Sequence, residues 1–207
     1  MKKLIRLWCT MLLLAVFGTT WADTTYKLVQ VTTVQAGGLY VFEQDGHVMN
    51  NVATDGALQT TNSYNTEGLS GTETYVWKLG TAKGGFTMKN VSNGTSNNLL
   101  TNNSGTDVSL GSAGSVWAFV FQTDGTAYIQ NTSNENRYLG YTSSTSHVYK
   151  AYAASSLSLS TYPHAIKVYQ LIETGSNDDL KGDVNGDGEV DVRDVTTLVN
   201  IILKKQQ

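Results

Sequence analysis

The stretch Tyr75-Val-Trp77-Lys-Leu79 decides the fold, because the similar stretch Val116-Trp117-Ala-Phe119 follows it 40 residues later. In each run large apolar residues alternate with other residue types, which is the period-two pattern of a half-buried strand. A third run, Ile166-Lys-Val168-Tyr169-Gln-Leu171, has the same pattern. The recurrence predicts that one structural unit is repeated three times.

Outward from these runs, each unit opens with an aromatic residue on an alternating strand. These residues are Tyr40, Phe86 and Tyr128, which are 46 and 42 residues apart. Each opening is followed at a hairpin's distance by an apolar return, within residues 48–50, 98–100 and 136–139. Asp-Gly and Asn-Gly pairs between the runs are turn signals, and no helical period competes with the strand pattern. Residues 23–172 are therefore predicted to be one all-β domain.

Three similar units of forty-odd residues resemble a β-trefoil, in which a threefold barrel and a hairpin cap bury one apolar set from each unit. The resemblance covers most of residues 26–171, and a β-sandwich is the alternative, because two-sheet folds also give evenly spaced short strands. We expect Trp77 and Trp117 at equivalent core positions, with Val168 or Tyr169 as their counterpart in the third unit. Units of trefoil lectins often end in Gln-x-Trp, but these tryptophans follow Tyr-Val and Ser-Val. The motif therefore does not transfer sugar binding to this chain.

A sugar site needs an aromatic ring for the apolar face of a pyranose and polar groups for its hydroxyls. Residues 136–141, Asn-Arg-Tyr-Leu-Gly-Tyr, contain both kinds of group. The predicted ligand-binding residues are Asn136, Arg137, Tyr138 and Tyr141. The alternative is an ordinary hairpin in which Tyr138 packs. Other tyrosines in polar, turn-rich surroundings are further candidates: Tyr64, Tyr149 and Tyr152.

The sequence contains none of the common catalytic motifs. It has no Gly-x-Ser-x-Gly elbow, no His-Glu-x-x-His helix and no Gly-rich phosphate loop. His47, His147 and His164 lie in unrelated sequence surroundings and are predicted to be surface or strand residues. Glycoside hydrolysis needs only two suitably spaced carboxylates, so that enzyme class stays open.

The C-terminal stretch 183–194, Asp-Val-Asn-Gly-Asp-Gly-Glu-Val-Asp-Val-Arg-Asp, has the spacing of a calcium-binding loop. Oxygen-bearing side chains stand at alternate positions and at position 12, and Gly188 stands at position 6, where such a loop bends sharply. Position 7 would contribute its backbone carbonyl. The predicted metal ligands are Asp183, Asn185, Asp187, Glu189, Asp191 and Asp194, and the predicted cofactor is Ca²⁺.

After this loop, Val195, Leu198, Val199 and Ile202 recur at helical spacing and predict one apolar stripe. The loop and the helix together resemble one repeat of a type I dockerin. That family normally carries two repeats, whereas this chain has one, which covers about 25 residues. The resemblance implies calcium binding and a protein partner that contacts the helix, either a cohesin-like receptor or a second copy of the chain. It also implies extracellular polysaccharide degradation as the setting.

The N-terminal residues have the pattern of a secretory signal peptide. Lys2, Lys3 and Arg6 precede an apolar run that is too short to span a bilayer, and Ala22 is a suitable cleavage position. Removal of residues 1–22 would leave no cysteine and would change the formal charge from −3 to −6. We therefore expect a secreted, bacterial extracellular protein without a membrane anchor after processing. The remaining basic residues form no cluster, which argues against nucleic acid as a partner.

These observations divide the chain into a signal peptide (1–22), a β-trefoil-like binding domain (23–172), a polar linker (173–182) and a dockerin-like repeat (183–207). The predicted function is a secreted, non-catalytic carbohydrate-binding accessory protein that is assembled through its calcium-dependent tail. A protein-interaction or assembly module is the alternative from another class, and a glycoside hydrolase is a third.

Overall fold

A computed structural model describes residues 24–92, 97–134, 137–142, 146–156, 165–174, 184–185 and 191–204. The predicted signal peptide lies outside these residues. So do the predicted linker after Thr174 and the calcium-loop residues Asp183, Asp187, Gly188 and Glu189.

The strands group into three units of four, preceded by one additional strand. β1 is Tyr26–Gln30. The first unit has β2 Leu39–Gln44, β3 His47–Thr54, β4 Ala57–Thr61 and β5 Trp77–Ala82. The second has β6 Gly85–Asn90, β7 Leu99–Thr101, β8 Ser109–Gly111 and β9 Trp117–Phe121. The third has β10 Thr126–Asn131, β11 Arg137–Thr142, β12 Val148–Ala153 and β13 Ile166–Glu173.

The first and last strands of the three units form a closed ring. Antiparallel pairing runs from β2 to β5, β6, β9, β10 and β13, and β13 pairs back to β2. The two inner strands of each unit pair with each other as a hairpin. A six-stranded barrel with three hairpins is a β-trefoil, so the predicted fold is confirmed and the β-sandwich alternative is excluded.

The strand register identifies the residues that are equivalent in the three units. In each unit one residue of the first strand faces one residue of the last: Tyr40 faces Trp77, Phe86 faces Trp117 and Ala127 faces Ile166. The third counterpart of the tryptophans is therefore Ile166, and the prediction of Val168 or Tyr169 was wrong. The register also aligns Phe86 with Ala127, one residue before the predicted Tyr128.

Both tryptophans are core residues, as predicted, and neither is exposed to solvent. Their indole N–H groups differ, however. Nε1 of Trp77 donates to the carbonyl of Met49 at 3.0 Å. Nε1 of Trp117 is buried without an acceptor in the described part of the chain. In this second unit the carbonyl of Leu100 accepts the backbone N–H of Ser115 instead, at 3.0 Å. The indole N–H at this repeated position therefore has a hydrogen-bond acceptor in the first unit, but none among the described residues in the second.

The ends of the barrel domain are joined. β1 pairs with the C-terminal half of β13, and the N–H of Thr174 donates to the carbonyl of Thr25 at 2.9 Å. The hydroxyls of these two threonines lie 3.0 Å apart. The edge of β1 that faces away from β13 is bonded to the connection between β4 and β5 at Thr66 and Leu69. The chain therefore enters and leaves the domain at one place.

The helix α1, Val192–Lys204, forms where the sequence predicts it. Asp191 caps its N-terminus, because its carboxylate accepts the N–H of Arg193 at 2.7 Å, while its own N–H donates to Asp194 at 2.7 Å. This reciprocal arrangement is similar to a capping box, with the N–H of the second helical residue in place of the third. At 13 residues α1 is too short to span a membrane, and no longer apolar helix occurs within the described ranges.

The unequal N–H groups of the two tryptophans generate a prediction. Trp77→Phe and Trp117→Phe should leave similar gaps in the core, but only the first removes a hydrogen bond. We expect Trp77→Phe to lower the free energy of unfolding by about 1 kcal/mol more than Trp117→Phe. Urea denaturation, followed by circular dichroism, measures this difference. Equal losses would show that the Trp117 N–H has an acceptor of similar strength.

Candidate functional site

A cleft of about 560 Å³ lies beside the third hairpin, between the β10–β11 turn and the end of β12. Asn134 lines it from the turn, Arg137 from the first residue of β11 and Ala153 from the last residue of β12. Ala154 and Ser155 complete the described lining from the 3₁₀ turn Ala154–Ser156, which follows β12. Arg137 and Ala153 are register partners, so strand pairing fixes one side of the cleft.

Asn131 positions the turn that carries Asn134. Its side chain is fully buried, and its amide nitrogen donates to the backbone carbonyl and the side-chain oxygen of Asn102, at 3.1 and 3.0 Å. Its own side-chain oxygen accepts the N–H of Ser133 at 2.9 Å, which is an Asx turn. The carbonyl of Asn134 then accepts the N–H of Arg137 at 2.8 Å. The edge of the cleft is therefore built on the buried amide of Asn131, which is itself bonded to Asn102 of the neighbouring unit.

The cleft presents hydrogen-bonding groups next to small apolar ones. No hydrogen bond or ion pair joins the guanidinium of Arg137 to the described residues, so its five N–H donors are available there. Asn134 adds an amide and Ser155 a hydroxyl, while Ala153 and Ala154 leave space beside them. This combination suits a ligand that has several oxygen acceptors and some C–H surface.

The structure places the four predicted ligand-binding residues in different surroundings. Arg137 lines the cleft, and its role in ligand binding stays a prediction. Asn136 lies outside the described residues. Tyr138, the next residue on β11, points to the opposite face of the strand and is half-buried. Tyr141 is fully buried in the core, so its ring cannot stack on a ligand as predicted. Burial likewise excludes Tyr149, which has no exposed surface, and Tyr152, which is 8% exposed.

Asn134 and Ser155, the other two residues of the cleft with hydrogen-bonding side chains, were not predicted from the sequence. The strand β10 ends at Asn131, and the turn begins at that residue. The spacing of Asn134 from this strand end could therefore have indicated that Asn134 lies in the turn. Ser155 has no local signal, since its position depends on the 3₁₀ turn after β12.

The histidines also differ from expectation. The rings of His47 and His147 stack at 4.3 Å with 4° between their planes, although the sequence placed them in unrelated surroundings. The Asp45 carbonyl accepts a hydrogen bond from Nδ1 of His47 at 3.0 Å, and the Tyr141 hydroxyl lies 2.5 Å from Nδ1 of His147. The pair therefore joins the β2–β3 turn to the β11–β12 turn. His164 lies outside the described residues.

A buried carboxylate lies at the barrel closure. Glu43 is 2% exposed, and its side chain forms an ion pair of 3.0 Å with the Nζ of Lys167. Its other oxygen accepts the N–H of Gly46 at 2.5 Å. The hydrogen bond to Glu43 raises the pKa of Lys167, although partial burial opposes this shift. Burial, followed by the charge of Glu43, raises the pKa of Tyr169. Glu43 is thus committed to holding β2 and β13 together.

Removal of Lys167 should leave the buried charge of Glu43 without a cation, with only the N–H of Gly46 remaining of the contacts described above. We expect Lys167→Met to lower the free energy of unfolding at pH 7 by roughly 1 to 3 kcal/mol, whereas Lys78→Met on the exposed side of β5 should have little effect. Because the pKa of Lys167 is raised, the stabilisation is complete below the ordinary lysine pKa and is lost as the pH rises through the raised value. Urea denaturation at pH 7 to 11 tests this, and a constant difference would contradict it.

At the predicted calcium loop, the described residues converge on Asp194. One carboxylate oxygen accepts the N–H of Val184 at 2.8 Å and of Asn185 at 3.2 Å, and the other accepts the N–H of Asp191. These backbone N–H groups lower the pKa of Asp194, with that of Asp191 acting most strongly. The carboxylate is 3% exposed and has no cationic partner among the described side chains. The beginning and the end of the loop therefore meet at a buried negative charge.

Asp191 uses its carboxylate differently. Besides capping α1, it accepts hydrogen bonds from the guanidinium of Arg193, at 2.8 Å from Nε and 2.7 Å from Nη2. The hydrogen bonds from Arg193 lower the pKa of Asp191. No cluster of three or more possible metal-ligating side chains occurs within the described ranges, which omit Asp183, Asp187 and Glu189.

Comparisons with known proteins give structural similarity only. No protein-family model matches the chain, and no curated protein matches it. A Macrolepiota procera ricin B-like lectin, solved in complex with lactose, is similar at 11% identity and a TM-score of 0.49, over 69% of this chain and 99% of that one. The Rhizoctonia solani agglutinin is similar at 16% identity and a TM-score of 0.47, with the same coverage. A mosquitocidal holotoxin is similar at 17% identity and a TM-score of 0.47, over 64% of this chain and only 16% of the holotoxin chain.

Proposed function

We propose that this protein is a secreted, non-catalytic carbohydrate-binding protein that binds a glycan in the cleft beside Arg137 and calcium through its C-terminal loop. The observation that supports glycan binding most directly is the guanidinium of Arg137, which has no partner among the described residues and lies at the edge of a cleft whose turn is held by buried hydrogen bonds. Extracellular polysaccharide degradation is the setting that the dockerin resemblance implies.

The chemistry of the cleft favours a sugar over an apolar ligand. Adjacent hydroxyls of a pyranose can accept two hydrogen bonds from one guanidinium, and a uronic acid can accept them in the bidentate geometry that arginine prefers. Asn134 and Ser155 can each donate to or accept from a further hydroxyl. The volume of about 560 Å³ lies within the range of small-molecule sites, which is sufficient for a short oligosaccharide.

A glycan array with the secreted form of the protein tests this proposal. We expect selective retention of one glycan class, and we expect Arg137→Met to weaken it by about 10- to 100-fold through the loss of a charge-assisted hydrogen bond. Lys89→Met, which removes an exposed cation from β6, should leave binding unchanged.

Two outcomes would contradict the proposal. A blank array would remove glycan binding, and a blank array together with a specific protein captured by pull-down would support the alternative of an assembly module. Glycan binding that survives Arg137→Met would place the site elsewhere on the barrel.

Calcium is proposed for the loop that begins at Asp183. The described residues fit a hard cation, because the buried carboxylate at loop position 12 has no cationic partner among them and draws positions 2, 3 and 9 together around itself. Side chains of Asp183, Asn185, Asp187, Asp191 and Asp194 and the backbone of Glu189 would hold the ion. The ion would supply positive charge that stabilises the loop against the repulsion of its acids.

We expect calcium to bind with an affinity on the order of 10⁻⁴ M or weaker, as in extracellular modules that fold around the ion. Asp194→Asn should abolish binding, because it removes the negative charge and replaces one of the two carboxylate oxygens that accept backbone N–H groups by an NH₂ donor. Asp178→Asn removes the same charge from the predicted linker and should leave binding unchanged. Isothermal titration calorimetry measures both. Absence of heat at millimolar calcium with the wild-type protein would refute the site.

The alternative of an assembly module is favoured by one further observation, the exposed apolar side chains of α1. A protein partner for this helix is compatible with glycan binding by the barrel, so the two functions can be measured independently.

A further inference from the structure

The helix α1 carries an apolar face that no other described part of the chain covers. Its members are between 43% and 74% exposed: Val192, Val195, Leu198, Val199, Ile201, Ile202 and Leu203. Asp194 is the one buried residue of the helix. At 100° per residue, the seven side chains occupy about 200° of the helix circumference. We call this surface the α1 face. Its width and continuity exceed what single exposed apolar residues produce.

The charges of the helix differ between its two ends. Asp191 and Asp194 lie at the N-terminus, and the acidic loop residues precede them in the sequence. Lys204 lies at the C-terminus and Lys205 follows it. One bound Ca²⁺ would not neutralise the four aspartate and glutamate residues at positions 183–191 and the fifth acid, Asp194. The N-terminal end is therefore acidic and the C-terminal end basic, with or without the ion.

A helix with these two ends is complementary to itself in one orientation. In an antiparallel pair, the basic end of each helix lies beside the acidic end of the other, whereas a parallel pair would place like charges together. In the antiparallel orientation the two helix dipoles also point in opposite directions, which is the electrostatically favourable arrangement. A hydrophobic receptor surface would cover the α1 face equally well, but it would have to supply both complementary charges itself.

We propose that the α1 face is the dimerisation surface of this protein and that it packs antiparallel against α1 of a second copy, with Leu198 at the centre. Residue 198 is the midpoint of Val192–Lys204, so the two Leu198 side chains meet on the twofold axis. Val195 of one copy then lies opposite Ile201 of the other. The proposal does not depend on glycan binding, and it concerns a different part of the chain from the cleft.

Oligomeric mass is the first test. Sedimentation equilibrium of the secreted form should give a dimer in calcium. Leu198→Asp should weaken association by at least 10-fold, because it places a charge on the axis, and circular dichroism should show the barrel still folded. Asn200→Asp introduces the same charge on the polar face and should leave the dimer intact. A wild-type monomer at several hundred micromolar in calcium would overturn the proposal, even if a receptor were found to bind the helix.

Cross-linking tests the orientation. Cys9 is the single cysteine of the sequence and lies in the predicted signal peptide, so cysteines can be introduced one at a time in the processed protein. Leu198→Cys should form a disulfide with its own copy. Val195→Cys and Ile201→Cys should each stay reduced alone, because their counterparts are about 9 Å apart along the axis, but should cross-link when mixed. Efficient self-cross-linking of Val195→Cys would show a parallel pair and overturn the antiparallel assignment. A blank glycan array would not affect either readout.

Discussion

The pairing of β13 with β2 is the contact on which the barrel depends, because it closes the ring that the other five pairings leave open. Lys167 and Glu43 are register partners in this contact, and their side chains also form the ion pair. The same strand pair is thus joined by its backbone and by two charges, one of them buried. Within the ring itself every strand has two partners, so none of the six barrel strands offers a free edge at which another chain could add.

The threefold scaffold and the cleft are related through the lengths of the turns. The β2–β3 turn of the first unit has two residues, Asp45 and Gly46, both with positive φ. The equivalent β10–β11 connection in the third unit spans residues 132–136. The core residues follow the repeat, but this longer connection does not, and it carries Asn134 to the edge of the cleft. The repeat therefore provides stability, while a departure from it provides the site.

Much of the barrel could be predicted from sequence, because its outer strands contain large alternating side chains at a regular spacing. The second strand of each hairpin was not identified, since Ala57–Thr61 and Ser109–Gly111 are short and mostly polar, so pairing and not periodicity defines them. Ile166 was not recognised as the counterpart of the two tryptophans, because at the equivalent register position an aliphatic side chain replaces the indole. The stacked histidines and the cleft could not be predicted, since residues about one hundred positions apart, or from different elements, meet only in the folded chain.

The junction of Thr25 with Thr174 has a consequence for how the domain can be rearranged. Because its two ends touch and its strands form a ring, a short peptide could link them, and new ends could be opened at a hairpin tip without crossing any strand. The barrel can then be inserted as a domain within another polypeptide as easily as it can be attached at one end. Such an insertion would require only that the flanking segments of the host chain meet at the adjacent residues Thr25 and Thr174.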